Sequence, residues 1–300
     1  MIFCIFALLY EILFPNITFP VAKIQLTQIL DSLSFGDSLL RTLKGVEPLS
    51  SPYGRLIFSA GRESLVLKVL YNGEPYALKC YLRHQPFRRE RHDYLHSSTS
   101  GDIIVRPQFF ENELYIDDTQ VDVALYKWVD GRSLDWMMRK ALHDEDCNLF
   151  GRLLDNFLRL ATTLLEGEWR HGDLKPENII VRPSGEMILV DCDALYAPSL
   201  PPSAEGGTPL WVHPARKGCY DSHIDDYAIA IIVVSLAAAK GDLSLCKSAS
   251  AVALPPQQNR EAINQILAND KWLLFLHEAI YAPTHKIENL NNILKCIAHK

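Results

Sequence analysis

A chain of 300 residues that is 48% hydrophobic and 22% charged, with only 15 glycines and 17 prolines, carries enough apolar content for a folded core. Collagen-like, low-complexity and wholly disordered chains are thereby excluded. Thirty Lys and Arg against 36 Asp and Glu leave a net charge of −6, so no overall basic field recommends a nucleic-acid partner.

The first ten residues are apolar, but no basic residue precedes Lys23, and Glu11, Pro15 and Asn16 interrupt the run before it reaches bilayer length. A membrane span is not expected there, and packing and anchoring both stay open. Between Ile24 and Leu43 apolar residues recur at helical spacing with a break at Gly36, which predicts one or two short helices. Residues 1–52 read as an apolar and helical extension. Short apolar runs at 56–58, 65–70 and 76–81, separated by Gly61 and Asn72-Gly73, then predict three strands joined by tight turns. A basic segment turning helical after Pro86, with strands at 103–105 and 121–129, completes a small β-rich unit over residues 53–129. From Leu134 the pattern becomes helical, with an apolar stripe over 149–165, short strands at 179–181 and 188–190, a Pro-rich loop at 197–202, and a very apolar helix over 225–239. Residues 130–300 therefore form a second, mainly α unit, and the chain reads as α+β. Seven scattered cysteines without any Cys-x-x-Cys suit neither a disulfide framework nor a zinc knuckle, and point to a reducing, cytoplasmic setting.

The strongest chemical signal is His171-Gly172-Asp173-Leu174-Lys175-Pro176-Glu177-Asn178, with Asp191 following 18 residues after Asp173 at the end of an apolar strand. Phosphoryl transfer needs a carboxylate at the attacking hydroxyl, a cation near the moving phosphate, and oxygen ligands holding Mg²⁺ against the phosphates. This stretch supplies all of them. It resembles the catalytic loop and metal-binding segment of the protein kinase superfamily. The likeness extends to Tyr76-Ala77-Leu78-Lys79, similar to the strand whose Lys contacts the phosphates and pairs with a Glu on the next helix; Glu90 is the candidate partner. Val66 and Gly61 fit a reduced glycine loop in which Ser59 and Ser64 stand where glycines are expected. Tyr126-Lys127-Trp128-Val129-Asp130-Gly131 resembles the hinge that meets adenine, and the segment from Gly207 to Pro214 resembles the end of an activation segment. Asp225 fits the brace behind the catalytic loop, with a plain N-cap as its other reading.

The resemblance implies a two-lobed kinase-like fold, a small β-rich N-lobe over 53–129 and a larger, mainly α C-lobe over 130–300. It implies ATP and Mg²⁺ as cofactors and transfer to Ser/Thr hydroxyls of a protein acceptor. In that scheme Asp173 and Lys175 are catalytic, Asn178 and Asp191 hold the metal, and Lys79, Glu90, Gly61, Val66, Ala77, Lys127, Trp128 and Val129 bind the nucleotide. Four departures from the family stand out: Gly172 replaces the usual Arg, Asp191-Cys192-Asp193 replaces Asp-Phe-Gly, Ala215 replaces a Glu, and the segment from Asp191 to Pro214 is short and Pro-rich. Asp193 is expected to face solvent, and control by phosphorylation of the activation segment is not expected. These changes are similar to those of divergent bacterial eukaryotic-like kinases. A non-catalytic scaffold and a small-molecule phosphotransferase are the alternatives. Phe35-Gly36-Asp37-Ser38 spells the start of an esterase motif without its partners, and His277-Glu278 lacks the second His of a zinc protease.

Overall fold

Burial alternates along β3 (Ser64–Tyr71), and this period of two gives the sheet it enters two unlike faces. The computed structural model describes residues 26–34, 39–61, 63–98, 102–246 and 260–299. Its larger sheet runs in the order β1 (Glu47–Pro48), β3, β4 (Glu74–Tyr81), β6 (Thr119–Lys127), β5 (Gln108–Ile116), with β2 (Phe58–Ala60) pairing onto β3. All of these pairs are antiparallel. Asn72 and Gly73 both take positive φ, as a two-residue turn between β3 and β4 requires.

One face of the sheet presents Leu65, Leu67, Val69, Leu78, Val123 and Leu125 to a buried core. Ile29 and Leu33 of α1 (Leu26–Ser34) close that core, together with Leu40, Leu43 and Val46. The boundary expected at residue 52 is thus corrected: Ile29, Leu33, Leu40, Leu43 and Val46 belong to the same core as the strands that follow, and β1 to the same sheet. A buried carboxylate fastens them. Glu113 sits on a bulge of β5 next to Asn112, which has φ 51°, and is fully buried. It accepts the backbone N–H groups of Thr42 and Leu43, each at 2.7 Å, and the Thr42 hydroxyl at 2.6 Å. The bulge breaks the alternation of β5, which is why the sequence pattern did not predict that strand.

The opposite face carries Tyr81, Ala124 and Tyr126. On this side lies α2 (Arg88–Ser97), whose His92 ring stacks on Phe109 at 4.7 Å. The strand expected at 103–105 is reduced to a bridge, in which Leu189 and Val105 exchange backbone bonds with Ile103 and Leu189.

A second core gathers the remaining elements: α3 (Leu134–His143), α4 (Cys147–Glu166), α5 (Asp226–Gly241), α6 (Arg260–Leu267), α7 (Lys271–Ala279) and α8 (Leu290–Ala298). With them is an antiparallel sheet of β7 (Arg132–Ser133), β8 (Ile179–Val181) and β9 (Met187–Leu189). A single apolar stripe turns α4 inward, whereas α5 is apolar all round and buried from Ala228 to Ala239, so it is the central helix of this core. The last three helices, silent as motifs, close the core through Ile263, Leu276 and Leu294. The apolar run 1–10 and Phe35-Gly36-Asp37-Ser38 lie outside the described residues. Among the described residues no helix is long and apolar enough to cross a membrane.

Candidate active site

The loop at 171–178 owes its shape to a close approach. Gly172 has φ +83°, and a Cβ placed on it would lie 2.0 Å from the Ala194 carbonyl oxygen, so only glycine fits. The Arg that the resemblance expects there has no room. Behind this turn, Asp225 accepts the N–H groups of His171 at 2.5 Å and Gly172 at 2.9 Å. It stands at the N-cap position of α5 but makes no capping bond with its side chain, so bracing this loop is what it does. Burial pushes its carboxyl above the usual range, against the two amides that favour its charge. His171, fully buried, accepts from the Asp173 N–H at Nδ1 and meets the Val190 carbonyl through Nε2 at 2.9 Å. Those partners assign the neutral tautomer protonated on Nε2.

Asp173 follows with both oxygens engaged. Oδ2 accepts from Lys175 Nζ at 2.6 Å, Oδ1 from the Thr208 N–H at 2.6 Å, and Asn178 Nδ2 donates to the Asp173 carbonyl at 2.9 Å. Burial alone would raise this carboxyl, but the Lys175 charge and the bonds from Lys175 and Thr208 outweigh it and hold the group below the usual carboxylate range. Lys175 also reaches the Thr208 hydroxyl at 2.8 Å, so the segment after Gly207 is tied to the loop at 171–178. Asn178 in turn accepts the Val190 N–H through its backbone carbonyl at 3.0 Å, which carries the loop to Asp191.

Asp191, in the left-handed region at φ 64° and 43% exposed at its side chain, accepts from Lys79 Nζ at 2.5 Å. Lys79 lies on the sheet face away from the first core. Its second partner is Asp193 Oδ2 at 2.7 Å. The expected solvent-facing Asp193 is therefore corrected: its side chain is 3% exposed, and its other oxygen accepts from the Tyr81 hydroxyl at 3.0 Å. The chain does not leave the site after Asp191, so the residue two positions on turns back toward the sheet. Burial opposes charge on Asp193, but Lys79 outweighs it and holds the carboxyl at about 2. Lys79 is pulled down by burial and up, more strongly in sum, by the two carboxylates. The pairing expected for Glu90 is corrected as well. Glu90 is exposed, because the buried face of α2 presents Arg88, Arg91, His92 and Leu95 instead. Tyr81 and His92, which the motif search missed, meet at 3.2 Å; the only trace in sequence was that Tyr81 shares the strand face of Lys79.

Of the other residues expected to bind nucleotide, Val66 and Ala77 do share the face of Lys79. Val66 is directly opposite Lys79, and Ala77 opposite Tyr126. Gly61 is exposed and donates its N–H to the Ser64 carbonyl at 2.9 Å; a Cβ there would meet nothing closer than 3.8 Å. Lys127 ends β6 in solvent, and Val129 is half-buried. The Trp128 N–H donates to the Pro75 carbonyl at 3.1 Å, its indole donates to Asp130 at 3.1 Å, and the Lys68 ammonium lies 4.2 Å from the ring.

The segment from Asp193 to Pro214 is pinned along its length. Arg91 donates to the Pro201 carbonyl at 2.8 Å, Gln85 to Glu205 at 2.8 Å, and Tyr196 exchanges backbone bonds with Arg170. Burial, followed by repulsion from Asp193, raises the Glu205 carboxyl to about 7. At Ala215, where the resemblance expects a Glu, His213 takes the N–H at Nδ1 and packs edge-on to Tyr227 at 4.9 Å. Nearby, Asp221 accepts from His285, and Asp226 accepts the Ile287 N–H. Neither protein-family models nor curated proteins give a match to this chain.

Proposed function

We propose that this chain is a phosphotransferase of the protein kinase type, with two lobes, moving the γ-phosphate of Mg-ATP to Ser/Thr hydroxyls of a protein acceptor. The observation that carries the proposal is the continuous run of contacts from Asp173 through Asn178, Val190 and Asp191 to Lys79, which joins the catalytic loop to the sheet. The separate cores of the sheet and of the helices support the two-lobed reading.

Asp173, held ionised, would orient the acceptor hydroxyl and take its proton; Oδ2 accepts from both Lys175 and Asn178, while Oδ1 accepts from Thr208 and keeps a lone pair for that contact. Lys175 would offset charge on the moving phosphoryl group. Lys79 would meet the α- and β-phosphates across the face formed by Val66, Ala77, Ala124 and Tyr126. Asn178 and Asp191 would hold Mg²⁺, which when bound offsets phosphate charge. They fit it: Asn178 donates through Nδ2 and keeps its side-chain oxygen, and Asp191 is partly open. Among the described residues no group of three or more His, Cys, Asp or Glu is arranged for a metal. Two side-chain oxygens suit an ion that completes its shell with phosphate and water. Placing the protein in the cytoplasm is part of the proposal and rests on cysteine usage.

The test is transfer of labelled γ-phosphate from Mg-ATP by wild type and Asp173→Ala, with protein acceptors, the chain itself and small alcohols offered in parallel. Label on protein Ser/Thr that vanishes in the variant supports the proposal. Label on small alcohols alone selects a small-molecule phosphotransferase, and no transfer selects a scaffold.

A further inference from the structure

The reach of Lys79 is set by whatever holds its ammonium, and three carboxylates are candidates: Glu90, Asp191 and Asp193. Glu90 is exposed on α2. Asp191 makes the shorter bond but is partly open, and it is the residue assigned above to the metal. Asp193 alone is enclosed and bonded at both oxygens, Oδ2 by Lys79 and Oδ1 by Tyr81. Tyr81 is fixed in its turn, since the Arg88 guanidinium lies 3.7 Å from its ring centre and His92 Nε2 lies 3.2 Å from its hydroxyl. A buried ammonium needs a buried counter-charge, and an anion bonded on both sides has one available geometry.

We propose that Asp193 is the positioning residue for Lys79, held by Tyr81 with His92 behind it, and that it replaces the helix carboxylate expected at Glu90. The inference rests on the kinase reading for its consequence, while the pairing itself stands on the contacts. When Asp191 turns to a metal, Lys79 keeps a partner. The helix α2 touches the site through Arg88 and His92 on Tyr81, so its carboxylate is not needed to place Lys79.

Two readouts test this, and only one needs activity. In a double-mutant cycle by denaturant unfolding, Lys79→Met with Asp193→Asn should be non-additive by at least about fivefold in the unfolding constant, and Lys79→Met with Glu90→Gln additive. Additivity for Asp193, or coupling to Glu90, overturns the proposal whether or not the chain transfers phosphate. In the transfer assay, Asp193→Asn should lower kcat/KM for Mg-ATP by about 10²-fold, the cost of a displaced group of this kind. Tyr81→Phe, which keeps the carboxylate and serves if Asp193→Asn does not fold, should lose about tenfold, mainly through KM. Glu90→Gln should stay within about twofold, inside the range of surface changes. Wild-type kinetics in both Asp193→Asn and Tyr81→Phe, or the loss appearing in Glu90→Gln, refutes the assignment. An inactive wild type tells against the kinase reading alone, and the unfolding cycle still decides the pair.

Discussion

Asp173 is held by Lys175 and Asn178, which follow it within five positions, by the Thr208 N–H 35 residues on, and by a brace from the buried helix behind its loop. Lys79 is held by carboxylates 112 and 114 residues away and by an aromatic group on its own strand. The first arrangement is built on one short stretch of chain and is completed by Thr208 and Asp225. The second exists only when the sheet, α2 and the segment after β9 have all docked. On the proposed reading, such a division sets the acceptor contact on the loop at 171–178 and makes the phosphate contact depend on docking of the sheet against the segment after β9.

The largest expected contrast is catalytic. Asp173→Ala should lower phosphate transfer by about 10²–10⁴-fold, the usual worth of a general base. Nucleotide affinity by calorimetry should stay within about twofold, because in the proposed reaction the carboxylate acts on the acceptor. A loss of nucleotide affinity instead would erase the division between the two halves. Next in size is the fit of the loop: Gly172→Ala must displace Ala194 at a positive φ and should cost at least about 3 kcal/mol in denaturant unfolding. Gly61→Ala, in open space, should cost less than about 1 kcal/mol. Equal costs would show that the tight approach at Ala194 is not what shapes the loop. Asp225→Ala leaves two buried amides without an acceptor and should destabilise by about 2–3 kcal/mol.

The smallest effect is in pH. Glu205 rises from 4.5 to about 7 in the folded chain, so the folded state holds its proton more tightly than the unfolded state does. Its contribution to stability is complete below pH 4.5 and is lost as pH rises through about 7. Thermal unfolding should therefore show a decline over that interval that Glu205→Gln lacks, since the amide oxygen still accepts from Gln85 at every pH. A matching slope in the variant would place the decline elsewhere, Asp226, raised by burial to about 6, being the next group to change.

The local half of the site was readable because its residues lie in one octapeptide whose spacing is its geometry. The helix over 225–239 and the strands of β3, β4, β8 and β9 were readable for a like reason, since each is decided by its own apolar pattern. Asp193 was misjudged because the end of strand alternation was read as release to solvent, whereas the turn at Asp191, with φ 64°, sends the chain back toward the sheet. Glu90 was misassigned because a run of Arg-Arg-Glu-Arg does not say which side of the helix is buried; packing on Tyr81 and Phe109 turned Arg88 and His92 inward. The boundary at 52 failed because prolines mark a change of texture but not the edge of a core.

Glu113 gives that last point a practical side for anyone dissecting the chain into pieces. A fragment beginning at residue 53 would lack the two amides and the hydroxyl that receive this carboxylate, leaving an ion stranded in an apolar interior. It would also strip Leu40, Leu43 and Val46 from the back of the sheet. Insolubility of such a fragment would then report a missing lining, not an inability of the strands to pair; starting at residue 40 restores the donors with Leu40, Leu43 and Val46, and only a start before Ile29 restores the whole lining.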